Sequence, residues 1–141
     1  MTNKDLADLI FPNITKTIKD YEEMYPNRRD KVVTRFAPSP TGYVHIGGMY
    51  QAIIDYLIAK NNNGVFYLRI EDTDQKREVK EAVELIKRAL MYYGLVPDEY
   101  ELDGKTVGEY GPYVQSERKE IYHAFIKYLI EIGRAYPCFC T

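Results

Sequence analysis

Two short apolar runs enclose a segment in which apolar residues recur every three or four positions. The first run lies within residues 31–37 and contains mostly β-branched and aromatic side chains, and the second spans residues 65–70. Between them, the positions from Ile46 to Ile58 have the spacing of one helix face. This order predicts a strand, a helix and a second strand, which together make a βαβ unit with two parallel strands.

Helical spacing also occurs on both sides of this unit. Two short apolar stripes precede it, the first ended by Pro12, and residues 1–30 are interpreted as an N-terminal helical extension. The apolar positions of these two helices are Leu6, Leu9, Ile10, Ile14, Ile18 and Tyr21. After the unit, apolar positions from Val79 to Tyr93 predict a helix that ends at Gly94.

The last third of the chain is predicted to contain a long loop, a helix and a short strand. Glycine and acidic residues make up much of positions 97–112, which are interpreted as a loop. Ser116 is the predicted N-cap of the following helix, and Gly133 is its predicted stop. The residues predicted to form the buried face of that helix are Ile121, Ala124, Phe125, Tyr128, Leu129 and Ile132. Residues 135–140 are interpreted as a short strand.

Composition places this α/β pattern in an ordinary globular protein. With 141 residues the chain is long enough for one domain with its own core, and 45% apolar with 28% charged residues argues against disorder. The net charge of −2 gives no overall basic field, so any contact with a nucleic acid would have to be local. No apolar stretch approaches the ~20 residues that span a membrane, and the N-terminus lacks the apolar core of a signal peptide. We therefore expect a cytoplasmic protein.

The turn between the first strand and the helix carries the strongest candidate chemistry. His45 lies where the helix is predicted to begin, between Gly42 and the pair Gly47 and Gly48. The first N–H groups of a helix are unpaired and the macrodipole favours an anion there, so this position suits a phosphate. A lone histidine at a helix start is more often structural, but small neighbours let a ligand approach the backbone, which favours a ligand site. The chain contains neither a dinucleotide fingerprint nor a P-loop.

Charged residues at the ends of both strands make a second candidate site. Arg35, Ala37 and Ser39 alternate along an extended segment, so their side chains are expected on one face. A guanidinium there matches a carboxylate through two hydrogen bonds, although an isolated arginine at a strand edge is more often in a surface ion pair. The second strand ends in Glu71–Asp74, three carboxylates in four residues, for which a solvated turn and a Mg²⁺ site are both open. Because parallel strands end at the same sheet edge, Glu71 is expected beside Arg35.

A longer motif links these two sites. Residues 35–48, with the sequence RFAPSPTGYVHIGG, resemble the signature of bacterial glutamyl-tRNA synthetases, which are class I enzymes. Three further segments are similar to that family in the same order, namely LRIEDTD at 68–74, GPYVQSER at 111–118 and AYPCFCT at 135–141. The resemblance covers residues 32–141 and implies a Rossmann-like α/β nucleotide-binding fold, a parallel sheet with flanking helices.

The resemblance also implies domain organisation. Residues 31–141 would be the N-terminal part of the catalytic domain, cut before its second half, because no segment resembles the KMSKS lysine loop. Without that loop and most of the tRNA contacts, the 141-residue chain alone is expected to be inactive.

The resemblance further implies an activity and assigns roles. A glutamate–tRNA ligase activates L-glutamate with Mg·ATP to glutamyl adenylate and pyrophosphate, and then transfers the glutamyl group to the 3′ end of tRNA(Glu). The residues that would bind ATP are Thr41, Gly42, His45, Gly47 and Gly48, and His45 would also stabilise the transition state. The residues that would bind glutamate are Arg35, Ala37, Ser39 and Glu71. Gly48 stands where many class I enzymes have a second histidine, a change that is common in the bacterial glutamyl branch.

Two cysteines raise the question of zinc. Cys138 and Cys140 are one residue apart, a spacing that strongly disfavours a disulfide between them. They supply at most two of the four ligands of a zinc site, with His123 as the remaining histidine. Some members of the resembled family complete such a pair with later ligands, so zinc is expected only in a full-length enzyme.

Three other functions remain open on the sequence. A glutamyl-queuosine tRNA(Asp) synthetase is the nearest alternative, and a non-catalytic binding module derived from the synthetase fold is another. A glutaminyl-tRNA synthetase is less favoured, because that branch usually carries PEP and HIGH where this chain has Pro38-Ser39-Pro40 and HIGG. The sequence leaves open whether tRNA(Gln) is also charged, and it leaves the oligomeric state open.

Overall fold

The computed structural model describes residues 1–74, 76–77, 79, 81–102 and 104–140. In chain order its elements are α1 (Asn3–Ile10), α2 (Ile18–Met24), β1 (Val33–Phe36), α3 (Ile46–Asn61), β2 (Val65–Leu68), α4 (Ala82–Tyr92), β3 (Tyr100–Leu102), β4 (Lys105–Val107), a 3₁₀ turn (Gln115–Arg118) and α5 (Lys119–Glu131). No helix in these ranges has the length and apolar character needed to cross a membrane.

The predicted βαβ unit is confirmed. Strands β1 and β2 are parallel, with Val33 opposite Val65 and Phe36 opposite Leu68, and α3 connects them. The same pairing continues past the strands, because the Glu71 amide donates to the Pro38 carbonyl oxygen over 3.0 Å. The acidic segment, residues 71–74, and the turn between β1 and α3, residues 37–45, therefore lie side by side at one sheet edge, as predicted.

The two faces of this small sheet differ. Alternate residues on one face pack into the apolar core beneath α3 and α4, and that core consists of Phe36, Met49, Ala52, Ala59, Phe66, Leu68, Ile70, Ile86, Leu90 and Leu95. The intervening residues, which include Arg35, Tyr67 and Arg69, are less buried and lie on the opposite face. Because of this alternation, the charged side chains of Arg35 and Arg69 lie on the sheet face opposite the apolar core.

The predicted loop at 97–112 is wrong, because this segment contains an antiparallel hairpin. In that hairpin Tyr100 pairs with Val107 and Leu102 pairs with Lys105. An Asp-Gly pair at 103–104 is a strong sequence signal for a two-residue hairpin turn, and Gly104 has a φ of +72°. The prediction from glycine and acidic composition therefore missed a hairpin made of two short strands.

Residues before and after the hairpin extend the sheet on the outer side of β2. The Leu68 amide donates to the Glu99 carbonyl over 2.9 Å, and the Ile70 amide donates to the Tyr113 carbonyl over 2.9 Å. Ile70 and Val114 form a parallel bridge. The backbone around the acidic segment is thereby held from both sides.

The boundaries of two helices also need correction. Helix α4 begins at Ala82 instead of Val79, because Glu81 has a φ of +77°, which lies outside the right-handed helical region. Ser116 is not the N-cap of α5, since its amide and hydroxyl both donate to the Asp72 carboxylate. The predicted ends of these helices are confirmed, with Gly94 and Gly133 each at a φ of +70°.

The predicted buried faces of the terminal helices are partly wrong. Of the residues predicted for the buried face of α5, only Ala124 is buried, and the others are partly or largely exposed. The other buried residue of α5 is Ile130, which was not predicted. In α1 the buried residue is Ala7, and Leu9 is exposed. The predicted strand at 135–140 is absent, since these residues pair with no strand.

The backbone contacts group the chain into two compact units. One unit contains residues 1–27 together with the chain from Arg118 onward, and the other contains residues 28–117. In the first unit, Thr2 and Thr17 cap α1 and α2 through reciprocal bonds with Asp5 and Asp20. The division at residue 30 into an extension and a catalytic part stays a prediction.

Candidate functional site

Helix α3 begins with unpaired backbone donors. His45 is its N-cap, in an extended conformation, and its side chain makes no capping hydrogen bond. The first intrahelical bond runs from the Met49 amide to the His45 carbonyl over 3.2 Å, so the N–H groups of Ile46, Gly47 and Gly48 have no partner within the helix. This end of α3 therefore presents several donors and the positive end of the dipole.

The three glycines around His45 have different surroundings. A Cβ atom at Gly47 would lie 3.1 Å from Cε1 of His45, so the imidazole ring rests against this residue. At Gly48 a Cβ atom would meet only Phe36, at 3.9 Å, and at Gly42 it would meet nothing within 4 Å. Gly47 therefore makes room for the histidine ring, whereas Gly42 leaves open space.

An open cavity of about 350 Å³ lies against this helix start. Seven of the nine predicted site residues line it, namely Ala37, Ser39, Thr41, Gly42, His45, Gly47 and Gly48. Gln51 and Ile86 also line it and were not predicted. Gln51 lies one helical turn beyond Gly47, and that spacing could have identified it, whereas Ile86 comes from α4 and is placed only by tertiary packing.

The other two predicted residues, Arg35 and Glu71, form an ion pair outside this lining. Their closest atoms, Nη1 and Oε1, are 3.6 Å apart. The Arg35 side chain is 43% exposed and that of Glu71 is 24% exposed, so a ligand can reach both. The expectation that these two residues lie side by side is confirmed, and their roles toward a ligand stay a prediction.

A second arginine, missed in the sequence, holds the same carboxylate. Nη2 and Nε of Arg69 donate to Oε1 of Glu71 over 2.8 and 3.3 Å. Arg69 stands two residues before Glu71 on an extended segment, so the two side chains share a face. That alternation was the available signal.

Asp55 on α3 contributes a further negative group near Arg35. Burial raises the pKa of the Asp55 carboxyl, and the positive charge of Arg35 opposes that rise. Oδ2 of Asp55 is buried and accepts no hydrogen bond from the described residues. Two carboxylates therefore lie near the Arg35 guanidinium, that of Glu71 after β2 and that of Asp55 on α3.

The carboxylates of the acidic segment have separate partners. Glu71 pairs with the two arginines, Asp72 accepts hydrogen bonds from Ser116, and Asp74 pairs with Arg77. Hydrogen bonds from Arg77 hold the pKa of Asp74 below its usual value. Within the described ranges no three acidic, histidine or cysteine side chains converge, so these residues do not fit a Mg²⁺ ion held by protein ligands alone.

The two cysteines do not form a zinc site by themselves. Cys138 and Cys140 are both exposed and do not form a disulfide. No third histidine, cysteine or acidic residue of the described chain joins them. Two thiols leave a tetrahedral zinc ion half coordinated, so no role is derived for zinc.

A second charged cluster lies outside the cavity and is mostly buried, with side chains 17% exposed at Arg28 and 10% exposed at Glu99. Arg28 donates to Oε1 of Glu99, and the Tyr113 hydroxyl donates to Oε2 of Glu99 over 2.7 Å. The Arg28 guanidinium stacks 3.4 Å from the centre of the Tyr110 ring. Burial, strengthened by the bond to Glu99, raises the pKa of Tyr113 above its ordinary range. This cluster anchors the hairpin segment that pairs with β2.

Comparison with known proteins agrees with this geometry. Residues 31–141 match the model of the family described as tRNA synthetases class I (E and Q), catalytic domain. The whole chain is 51% identical to a glutamate–tRNA ligase of Acetivibrio thermocellus and 48% identical to one of Clostridium perfringens. In each case it spans 27% of the relative's length.

Solved structures give the same result. A glutamate tRNA ligase from Elizabethkingia meningosepticum, crystallised in complex with its amino acid, superposes with a TM-score of 0.67 and 50% identity. The superposition covers 72% of this chain and 20% of that one. The family match over residues 31–141 and the identities near 50% lead to one conclusion: the chain belongs to the class I tRNA synthetases of the E and Q group.

Proposed function

We propose that this chain contributes the glutamate and ATP sites of a cytoplasmic glutamate–tRNA ligase. The observation that carries the proposal is the neighbouring placement of two sites at one sheet edge. One is an open cavity at an uncapped helix start, and the other is a partly exposed pair of opposite charges formed by Arg35 and Glu71. Such a pair suits a zwitterion with an acidic side chain, and the helix start suits a phosphate.

In this proposal each charged residue has a defined task. Arg35 binds the side-chain carboxylate of glutamate, Glu71 binds its α-ammonium group, and Ala37 and Ser39 line the pocket. A neutral amide does not satisfy the Arg35 guanidinium as a carboxylate does, which disfavours glutamine. The charge of the substrate therefore selects it.

The nucleotide is assigned to the start of α3. Thr41, Gly42, Gly47 and Gly48 surround the ATP, and the free N–H groups of the helix meet its phosphates. An α-carboxylate oxygen of glutamate attacks the α-phosphorus, the bond to pyrophosphate breaks, and His45 stabilises the charge that develops on the phosphate oxygens. Mg²⁺ supplies charge neutralisation when it arrives with the ATP, because the described acidic residues offer no site of their own.

The acceptor in this proposal is tRNA(Glu). Its 3′-terminal adenosine takes the glutamyl group from the adenylate, and AMP leaves. The relatives are almost four times as long as this chain, since it spans 27% of each of them. Most tRNA contacts are therefore assigned to sequence outside these 141 residues.

Glutamate-dependent pyrophosphate exchange by the complete gene product, with tRNA(Glu) present, tests the proposal. We expect His45→Ala to lower the exchange rate by about 10²–10³, as is typical when one transition-state donor is lost. We expect Arg35→Gln to weaken the use of glutamate far more than that of ATP, because only the amino acid loses its partner.

Two results would contradict the proposal. Near-normal exchange in both variants would remove the assigned roles of His45 and Arg35. Charging of tRNA(Asp) instead of tRNA(Glu) would favour the glutamyl-queuosine alternative.

A further inference from the structure

Among the described residues, the contacts of Glu71 reach one of its two carboxylate oxygens. Oε1 accepts hydrogen bonds from Nη2 and Nε of Arg69 over 2.8 and 3.3 Å, and it lies 3.6 Å from Nη1 of Arg35. In the part of the chain that the structure describes, Oε2 of Glu71 accepts no hydrogen bond. A carboxylate can accept several hydrogen bonds, so Oε2 remains able to bind a further donor.

The two arginines hold this carboxylate unequally. The Arg69 side chain is only 15% exposed and uses two nitrogens, whereas the Arg35 side chain is 43% exposed and stays beyond hydrogen-bond distance. A shielded, charge-assisted contact through two nitrogens fixes orientation better than a loose surface pair. Arg69 therefore determines where the Glu71 carboxylate lies.

The backbone fixes Arg69 in turn. Its amide donates to the Phe36 carbonyl over 3.0 Å, which places it in the continued pairing of β1 with β2. The next residue, Ile70, is buried in the core and bonds to the segment at Tyr113 and Gln115. The guanidinium is thus presented from a rigid part of the sheet, and Glu71 is positioned by that part.

We propose that Arg69 is a positioning residue for glutamate recognition. It holds Oε1 of Glu71 so that Oε2 faces the substrate ammonium group, and it keeps the Arg35–Glu71 ion pair at 3.6 Å, beyond hydrogen-bond distance. Without Arg69, this pair closes to a direct hydrogen bond, which the substrate has to break before either residue can bind it. The inference rests on the proposed function and adds a residue to which the sequence assigned no role.

The test compares three variants in glutamate-dependent pyrophosphate exchange by the complete gene product. In Arg69→Gln we expect the KM for glutamate to rise by about tenfold, the value of one charge-assisted contact, while kcat and the KM for ATP stay near wild type. Arg69→Lys keeps the charge but loses the two-nitrogen contact, so its KM for glutamate should lie between those of wild type and Arg69→Gln.

Arg77→Gln is the matched control. Arg77 pairs with Asp74 on the same acidic segment, but its side chain is 74% exposed and the pair lies at the surface. We expect its kinetics to match those of wild type. Thermal unfolding of all three variants reports whether a change in KM arises from a loss of folded protein. If Arg69→Gln does not fold, the KM for glutamate of Arg69→Lys tests the inference instead.

The outcomes separate this inference from the function on which it rests. If wild type shows no glutamate-dependent exchange, the proposed function is wrong and the inference falls with it. If exchange occurs but Arg69→Gln and Arg69→Lys behave like Arg77→Gln, only the inference is overturned. An equal rise in the KM for glutamate and for ATP would also overturn it, since a purely structural role moves both.

Discussion

Two glutamates in this chain are each held by arginine, yet their surroundings differ. Glu99 is buried and uses both carboxylate oxygens, one toward Arg28 and the other toward Tyr113. Glu71 is partly exposed and uses one oxygen, toward Arg69, with Arg35 nearby at 3.6 Å. A fully satisfied buried network stabilises and fixes a fold, whereas a partly satisfied exposed carboxylate retains the capacity to bind.

The difference also separates two tasks at one sheet edge. The Glu99 cluster anchors the hairpin segment against β2, and that segment holds the backbone at Ile70. The backbone at Ile70 carries the neighbouring residues Arg69 and Glu71. The Glu99 cluster thus supports the backbone that carries Glu71. Substitutions in the Glu99 cluster should therefore lower stability, whereas substitutions around Glu71 should change the use of the ligand.

The largest effect on stability should come from Arg28→Met. It leaves the buried Glu99 carboxylate without its cation, and breaking one side of a buried pair typically costs about 3–5 kcal/mol. The matched variant Arg35→Met removes an arginine from an exposed pair and should cost less than about 1 kcal/mol. Urea unfolding of the 141-residue chain measures both, and similar losses in the two variants would contradict the comparison.

A smaller effect is expected from Tyr113→Phe, which leaves Oε2 of Glu99 without a donor. The loss should be about 1–3 kcal/mol at neutral pH, the usual cost of an unpaired buried polar group.

The same variant should also change the pH dependence of stability. The folded chain raises the pKa of Tyr113 above the ordinary 10.0, so the folded state keeps this proton longer than the unfolded state does. The contribution of the protonated Tyr113 hydroxyl to the free energy of unfolding is complete below the ordinary pKa of 10.0, and it is lost as the pH rises through the higher pKa of the folded state. Tyr113→Phe should therefore reduce the alkaline loss of unfolding free energy, whereas Tyr92→Phe, at an exposed tyrosine, should leave it unchanged. Equal curves for the two variants would show that Tyr113 does not control this loss.

The smallest effect should come from Gly47→Ala. Alanine favours a helix by up to about 1 kcal/mol over glycine, but the new Cβ atom would press on the His45 ring and has to displace it. We expect a shift in the imidazole proton resonances of His45 with little change in stability. Gly48→Ala should move these resonances less, because its Cβ atom would meet only Phe36 at ordinary contact distance. A larger shift in Gly48→Ala would contradict the assigned packing.

The sequence by itself determined the βαβ unit and most of the cavity. Apolar spacing at 31–70 and the glycines around His45 are local signals, because a strand, a turn and a helix start each depend on neighbouring residues. The alternation of Arg35, Ala37 and Ser39, together with the parallel strand order, was enough to place Glu71 beside Arg35.

Only the tertiary structure decided how these carboxylates are partnered. Asp72 accepts from Ser116, which is 44 residues away, and this bond replaced the local capping role predicted for Ser116. Arg28 and Glu99 are 71 residues apart in the sequence and meet only because the hairpin segment pairs with β2. At Glu99, local preferences are weak compared with the cost of leaving a buried charge unpaired, so a distant partner decided this position. At Asp72, the pairing of Ile70 with Val114 brings Ser116 within hydrogen-bond distance.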